Sequence, residues 1–385
     1  MFVTFIALSF VFRFLFPFGD EPDFTYRIED LLAIDDDSWS LYGFLNFLLS
    51  DLQLNSSCII NAEPFSLWAR IDSACVESFA GVVYRTILML FIIAPLFFVI
   101  VFPRSVILFF QILKVKFDKQ VLSQRLTAVG VSLLFPGMLY SMGVLAQEQL
   151  TLMLSLLIFV LWDSLILVGC CIALIMLVDV GNSLVVVTFV LSAIFYAWLA
   201  KKLSLKIVFS LMIVQILGAY AIGFSALSLL TSVPLLAPKA QLMMDALSGS
   251  DLIDKYPVIL RPVITYMSFV FFTPAYIKVP ILYVLVAFGV IHMTFRCVTK
   301  YSQYQLHTAR SISILKGNIV MCLVAISTIL SFVFIFPTYG NAKYYIFMLP
   351  FIFNLSLNVY SKKTIIKFVL CLNFILLSFL VMYYF

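Results

Sequence analysis

Uninterrupted apolar runs of helical length constrain this chain more than any other feature. Stretches such as 81–103, 126–146, 207–230 and 317–337 carry almost no charge, and their apolar residues are continuous rather than alternating at period two. About 20 apolar residues in a helix cross one bilayer. Lipid offers no hydrogen-bond partners, so a spanning backbone must be helix or closed barrel. The missing alternation excludes the barrel. A soluble domain has roughly a quarter of its residues charged, whereas only 11% are charged here and 64% are hydrophobic. The excess apolar surface, including 40 Phe, must face lipid or pack between helices. The formal charge of +5 comes from short basic clusters between apolar runs, a membrane pattern that gives no reason to expect nucleic acid. Cys170, Cys171, Cys322 and Cys371 lie in apolar runs, and no CxxC pair suggests a metal.

The Lys/Arg bias of the connectors predicts orientation. Met1 to Phe18 lacks a basic start and a small-residue cleavage site, so a retained first helix is expected with its N-terminus cytoplasmic. The chain then turns acidic. Residues 19–80 hold Asp20, Glu21, Asp23, Glu29, Asp30, Asp35, Asp36, Asp37, Asp51, Glu63, Asp72 and Glu77 against only Arg27 and Arg70, and so form an outer, periplasmic loop. A second helix is expected over 81–103. The basic connector with Arg104, Lys114, Lys116, Lys119 and Arg125 is cytoplasmic, and 105–117 reads as an amphipathic helix on the inner surface. A third helix covers 126–146. The run 150–200 must finish inside at Lys201 and Lys202, which predicts three short crossings broken near Trp162-Asp163 and Asp179-Val180-Gly181-Asn182. Further helices follow at 207–230, 280–296, 317–337, 344–360 and from 361 to Phe385, with a second outer segment over 231–279. The stretch Val263–Phe272 is short for a span and suits a re-entrant or interfacial packing.

The expectation is an all-α, polytopic transmembrane bundle of about 11 helices. It forms a single membrane domain over 1–385, with a large first outer loop bearing interfacial helices. Of 19 acids, only Asp118 and Asp163 then fall on the cytoplasmic side. No internal repeat is visible.

The first outer loop carries the clearest chemistry. Phe18-Gly19-Asp20-Glu21-Pro22-Asp23-Phe24 puts three carboxylates on a Gly/Pro turn at the membrane boundary. A carboxylate there can hold a divalent cation or act as general base toward a sugar hydroxyl, and equally it can be a solvated turn that fixes topology. Asp23 suits the N-cap of a following helix, and Trp39, Tyr42, Phe44, Phe47 and Leu48 form an interfacial face. Cys58 and Cys75 share this loop and are expected to pair if the compartment is oxidising. Asn55-Ser56-Ser57 matches a glycosylation sequon.

This arrangement resembles the GT-C class of membrane glycosyltransferases, which use polyprenyl-phosphate-linked sugars on the outer side of the membrane. The resemblance lies in a short first helix, an acidic turn, and juxtamembrane helices in a large outer loop. It implies Asp20 or Glu21 as catalytic base, with Asp23 a weaker choice. The segment from Phe336-Pro337 through Lys343-Tyr344 to Leu349-Pro350 is similar to the late-helix pattern of that class and implies a substrate role for Lys343 and Tyr344. Size and helix number also resemble bacterial O-antigen and capsule polymerases of the inner membrane, in which an outer-loop Arg is commonly used; Arg261 takes that position. Both likenesses imply displacement of a sugar from a polyprenyl phosphate or pyrophosphate by an acceptor hydroxyl. The partner is then a lipid-linked glycan in membrane lipid. The leaving phosphate needs cations, which Lys255, Arg261, Lys278 and Lys343 can supply; Arg261 is the better clamp for its planar fork. The lysines can also simply snorkel to headgroups. Asp163 and Asp179, in or near helices, are costly charges of the kind that often serve function. His292 and His307 fall on the cytoplasmic side and receive no role.

A flippase or transporter for a lipid-linked or small polar substrate is the competing expectation. It predicts paired charges or broken helices at depth, whereas the helix centres here read as nearly charge-free. A non-catalytic membrane scaffold fits the composition equally well. The sidedness itself is testable: alkaline phosphatase fused after Ser57 is expected to be active, and fused after Lys202 inactive. The reverse pattern would overturn the orientation.

Overall fold

The computed structural model describes residues 2–15, 90, 93–115, 117–143, 147–178, 180–233, 237, 241, 292, 296, 309–335 and 346–384. Among these residues the regular structure is helical, with no strand. In chain order the helices are α1 (Phe2–Leu15), α2 (Ala94–Val101), α3 (Pro103–Ile112), α4 (Lys119–Ser132), α5 (Pro136–Gly143), α6 (Gln147–Val160), α7 (Leu165–Val178), α8 (Val180–Lys202), α9 (Leu205–Leu230), α10 (Ala309–Ile335), α11 (Leu349–Ser356, preceded by a 3-10 turn at Ile346–Met348) and α12 (Lys362–Tyr384). The chain divides into two units, one of Met1–Asp179 with Lys363–Phe385 and one of Val180–Lys362.

Proline sets several helix starts. Pro95, Pro103 and Pro350 each sit in the first turn of α2, α3 and α11, where the missing N–H costs nothing. The α4 start is capped instead: Asp118, extended at φ −100°, accepts from the Gln120 N–H at 2.9 Å. The α3 end carries a Schellman closure. Lys114 takes φ 52°, its N–H donates to Gln111 O at 3.1 Å, and the Val115 N–H donates to Phe110 O at 3.0 Å.

Within the first unit, α6 packs against α7, α5 and α4, and α1 against α5. Phe5 of α1 meets Phe97 of α2 edge to face, with centroids 5.6 Å apart. Leu122, Val129, Leu139 and Leu156 are fully buried. The axes of α2 and α3 differ by 94° across Phe102, so a helix is present within the expected 105–117 region as α3, turned sharply off the preceding apolar helix.

The expected third helix over 126–146 is interrupted. Pro136 cannot donate a backbone hydrogen bond and its ring crowds the carbonyl four residues back, so α4 stops at Ser132 and α5 begins at Pro136. Neighbouring groups take up the freed carbonyls. The Phe135 N–H donates to Ser132 O at 2.9 Å, and the Leu134 N–H donates to Val131 O at 3.1 Å. Asn373 of α12, fully buried, donates from Nδ2 to Leu134 O at 2.6 Å and to Val369 O at 3.0 Å.

In the second unit, α10 packs against α8, α9 and α11. Ile319 and Cys322 of α10 form a buried cluster with Ile352 and Leu355 of α11. Phe189 of α8 meets Phe351 and Phe347 edge to face at 4.7 and 5.9 Å. Asn354 Nδ2 donates to Asn318 Oδ1 at 3.0 Å across α10 and α11.

Three described helices are long and apolar enough to cross a membrane: Asn182–Lys202, Leu205–Ile222 and Leu315–Phe332. The run 150–200 divides where its polar residues predict, with α6 ending at Val160, α7 starting at Leu165 and α8 starting at Val180. At 14 residues each, α6 and α7 reach about 21 Å, short of the ~30 Å hydrocarbon core. The α11 segment Ile346–Ser356 is likewise a short apolar helix. The first outer loop over 19–80, most of 231–279 and most of 280–296 lie outside the described residues. Replacing Asn373 by Leu strips the Leu134 carbonyl of this partner and is expected to destabilise the protein by about 1–3 kcal/mol. The check is the thermal midpoint of purified protein in detergent, where an unchanged midpoint would show that the break does not depend on Asn373.

Candidate functional site

Of the residues that sequence reasoning singled out for chemistry, Asp163 is described, whereas Asp20, Glu21, Asp23, Asp179, Lys255, Arg261, Lys278, Lys343, Tyr344 and the cysteines Cys58 and Cys75 lie outside the described residues. What the structure gives is the helical frame beside them. The apolar helix α1 runs to Leu15, five residues before Asp20. The 3-10 turn that leads into α11 starts at Ile346, two residues after Tyr344, and every residue from Ile346 to Ser356 is buried.

Among the described residues, the ionisable pair with tertiary geometry is Arg125 and Asp163. Arg125 stands on α4, and Asp163 on the turn between α6 and α7. The Arg125 Nη2 donates to Asp163 Oδ1 at 3.1 Å, with side chains 12% and 21% exposed. Arg125 Nη1 and Asp163 Oδ2 are buried with no hydrogen-bond partner among the described residues. A part-buried pair with one contact meets only part of its desolvation cost, and removing one partner leaves the other charge uncompensated. The sequence places both residues on the same side of the membrane, and the pairing holds them at one depth.

A second group of polar contacts surrounds α5. Gln149, fully buried on α6, donates from Nε2 to Met142 O at 2.7 Å and so ties the end of α5 to α6. Its Oε1, like Asn373 Oδ1, is buried without a partner among the described residues. Such acceptors are ordinarily met by ordered water or a polar ligand. Sequence reasoning passed over Pro136, Gln149 and Asn373. The signal available was Pro136-Gly137 in the middle of an apolar run, a strong helix interruption.

In the second unit the polar contacts gather toward the basic end of the spans. Lys316 Nζ donates to the Ala200 carbonyl in the last turn of α8, where a cation also complements the helix dipole. The Lys202 ammonium lies 4.2 Å from the Trp198 ring centroid, and Trp198 is half exposed, as an interfacial Trp is. The Tyr196 hydroxyl donates to Gln215 Oε1 at 2.8 Å across the α8–α9 hairpin. Among the described residues, no group of three or more His, Cys, Asp or Glu side chains is placed to hold a metal; the expected cation-binding acids of the first loop lie outside them.

Compared with protein-family models, curated proteins and solved structures, the chain matches none. The ion pair gives a direct test. Asp163→Asn and Arg125→Gln are each expected to destabilise the protein by about 3 kcal/mol, while Arg125→Met with Asp163→Leu recovers most of the loss. Thermal midpoints of the four proteins are the check, and single variants as stable as wild type would remove the structural role.

Proposed function

We propose that the chain is a membrane glycosyltransferase or polysaccharide polymerase of the bacterial inner membrane. It takes a sugar or repeat unit from a polyprenyl phosphate or pyrophosphate on the periplasmic face, in the assembly of O-antigen or capsule polysaccharide. The observation that carries this reading is the acidic turn Asp20-Glu21-Pro22-Asp23, which follows the apolar helix α1 by five residues. A carboxylate at a membrane boundary is suited to take the proton from an acceptor hydroxyl. The acceptor oxygen then forms its bond to the anomeric carbon as the carbon–oxygen bond to phosphate breaks. The departing phosphate keeps the electron pair, and cations must meet that charge. Arg261, Lys255 and Lys343 are the candidates for the clamp. Tyr344, next to the buried Ile346–Ser356 segment, is a candidate for contact with the lipid-linked donor. A divalent cation held by the first-loop acids would serve the same charge.

Transport of a lipid-linked or small polar substrate is the second reading, and the structure contributes two features in its favour. The interrupted helix α4–α5 and the Arg125–Asp163 pair are of the kind that transporters place along a substrate path.

One experiment separates the two. Asp20→Asn or Glu21→Gln, and Arg261→Ala, are expected to abolish long-chain polysaccharide at unchanged protein level, with the lipid-linked precursor accumulating on the periplasmic face. A loss that instead traps precursor on the cytoplasmic face supports transport. Wild-type chain lengths in all three variants would remove the catalytic assignment.

A further inference from the structure

The elbow formed by α2 and α3 has an exposure pattern that neither a soluble surface nor a simple span explains. On α3, Val106 and Phe110, four residues apart, form the buried stripe at 5% and 0% exposure. Leu108, Phe109 and Ile112 lie around the helix from that stripe and are strongly exposed, Ile112 at 70%. Arg104 and Gln111, seven apart and also exposed, make a third, polar strip. A helix in water has no reason to show three bulky apolar side chains beside a buried stripe and a polar one. A helix lying in the boundary of a bilayer needs all three faces: one for protein, one for acyl chains and one for water.

The angle to α2 agrees. The α2 sequence Ala94–Val101 is wholly apolar, and Phe98 and Val101 are also exposed. If α2 follows the bilayer normal, a 94° turn lays α3 in the plane, with both of its ends at one depth. Both ends are basic. Arg104 stands in the first turn, and Lys114 closes the last turn, exposed and held at φ 52° by the two Schellman bonds. Between residues 104 and 125 the sequence carries Arg104, Lys114, Lys116, Lys119 and Arg125 against Asp118 alone, and the Asp118 carboxylate is occupied with capping α4. A re-entrant path would instead carry one charged end into hydrocarbon, at a cost.

We infer that α3 is an in-plane anchor helix that binds acidic phospholipid. Arg104 and Lys114 contact the headgroup phosphates while Leu108, Phe109 and Ile112 sink among the acyl chains. The occupant is a lipid surface rather than a protein because the exposed apolar arc continues onto the apolar α2 and is bordered at both ends by cations. The inference does not depend on sugar transfer.

Two measurements on the full chain test it. In inverted membrane vesicles, a membrane-impermeant maleimide is expected to label Gln111→Cys at least roughly tenfold faster than Ile112→Cys, read above the wild-type background. Equal rates would place both faces in the same medium and overturn the in-plane assignment. Native mass spectrometry of the detergent-purified protein, titrated with phosphatidylglycerol and with phosphatidylcholine, reads the lipid preference. Wild type is expected to favour phosphatidylglycerol, and Arg104→Gln with Lys114→Asn to lose about fivefold in that preference for each charge removed. An identical preference in wild type and variant would overturn the headgroup assignment. Should the double variant fail to fold, Lys114→Asn alone carries the test, because Asn tolerates positive φ.

Discussion

A buried carbonyl that loses its helical partner must find another donor in the protein, and the first unit is arranged around one such carbonyl, that of Leu134. Pro136 ends the ladder of α4. Tightened turns recover part of what is lost, and Asn373 reaches in from α12 to the Leu134 oxygen. Without that side chain the interruption would leave a bare buried acceptor, at a cost of about 1–3 kcal/mol. The position of α12 is thus coupled to the break between α4 and α5. Buried hydroxyls face the matching demand for an acceptor, and those of Ser155, Ser331 and Ser356 each donate to the carbonyl four residues earlier in the same helix.

Side-chain contacts between helices follow a related economy. Each charged contact has one partner at a helix end: Arg125 meets Asp163 on the turn after α6, and Lys316 meets the Ala200 carbonyl in the last turn of α8. Deeper contacts are neutral, as between Asn318 and Asn354 or Tyr196 and Gln215. A neutral amide pair avoids the cost of burying a charge and still fixes the register of two helices, with interhelical bonds of this type contributing on the order of 1 kcal/mol. Both charged contacts join residues that the basic-loop pattern assigns to a common side. Each pairing holds its two members at one depth.

Much of the helical frame was legible in the sequence because charge and hydropathy change sharply at its joints. Trp162-Asp163 marks the turn after α6, and the polar residues from Asp179 to Asn182 mark the passage from α7 to α8. Arg104 and Lys114 bracket α3. The break at Pro136 was not read, because its neighbours are apolar and a run judged by average hydropathy conceals one imino acid. Asn373 was invisible for a different reason: nothing local to α12 says that a carbonyl 239 residues away needs its amide. The short helices expected over 150–200 are present as the 14-residue α6 and α7, and apolar composition alone does not say whether a helix of that length crosses. The chemistry proposed for Asp20, Glu21 and Arg261 rests on charge placed at apolar boundaries, and the frame adds the helices that approach those boundaries.

That long separation has a consequence for biosynthesis. Leu134 leaves the ribosome long before Asn373 exists. At 5–20 residues per second the interval is roughly 10–50 s, during which the interrupted segment must wait in the translocation machinery or the bilayer with its oxygen served by something else. The amino-terminal unit therefore cannot reach its final state in order of synthesis. It is completed only once α12 has been made and Asn373 reaches Leu134.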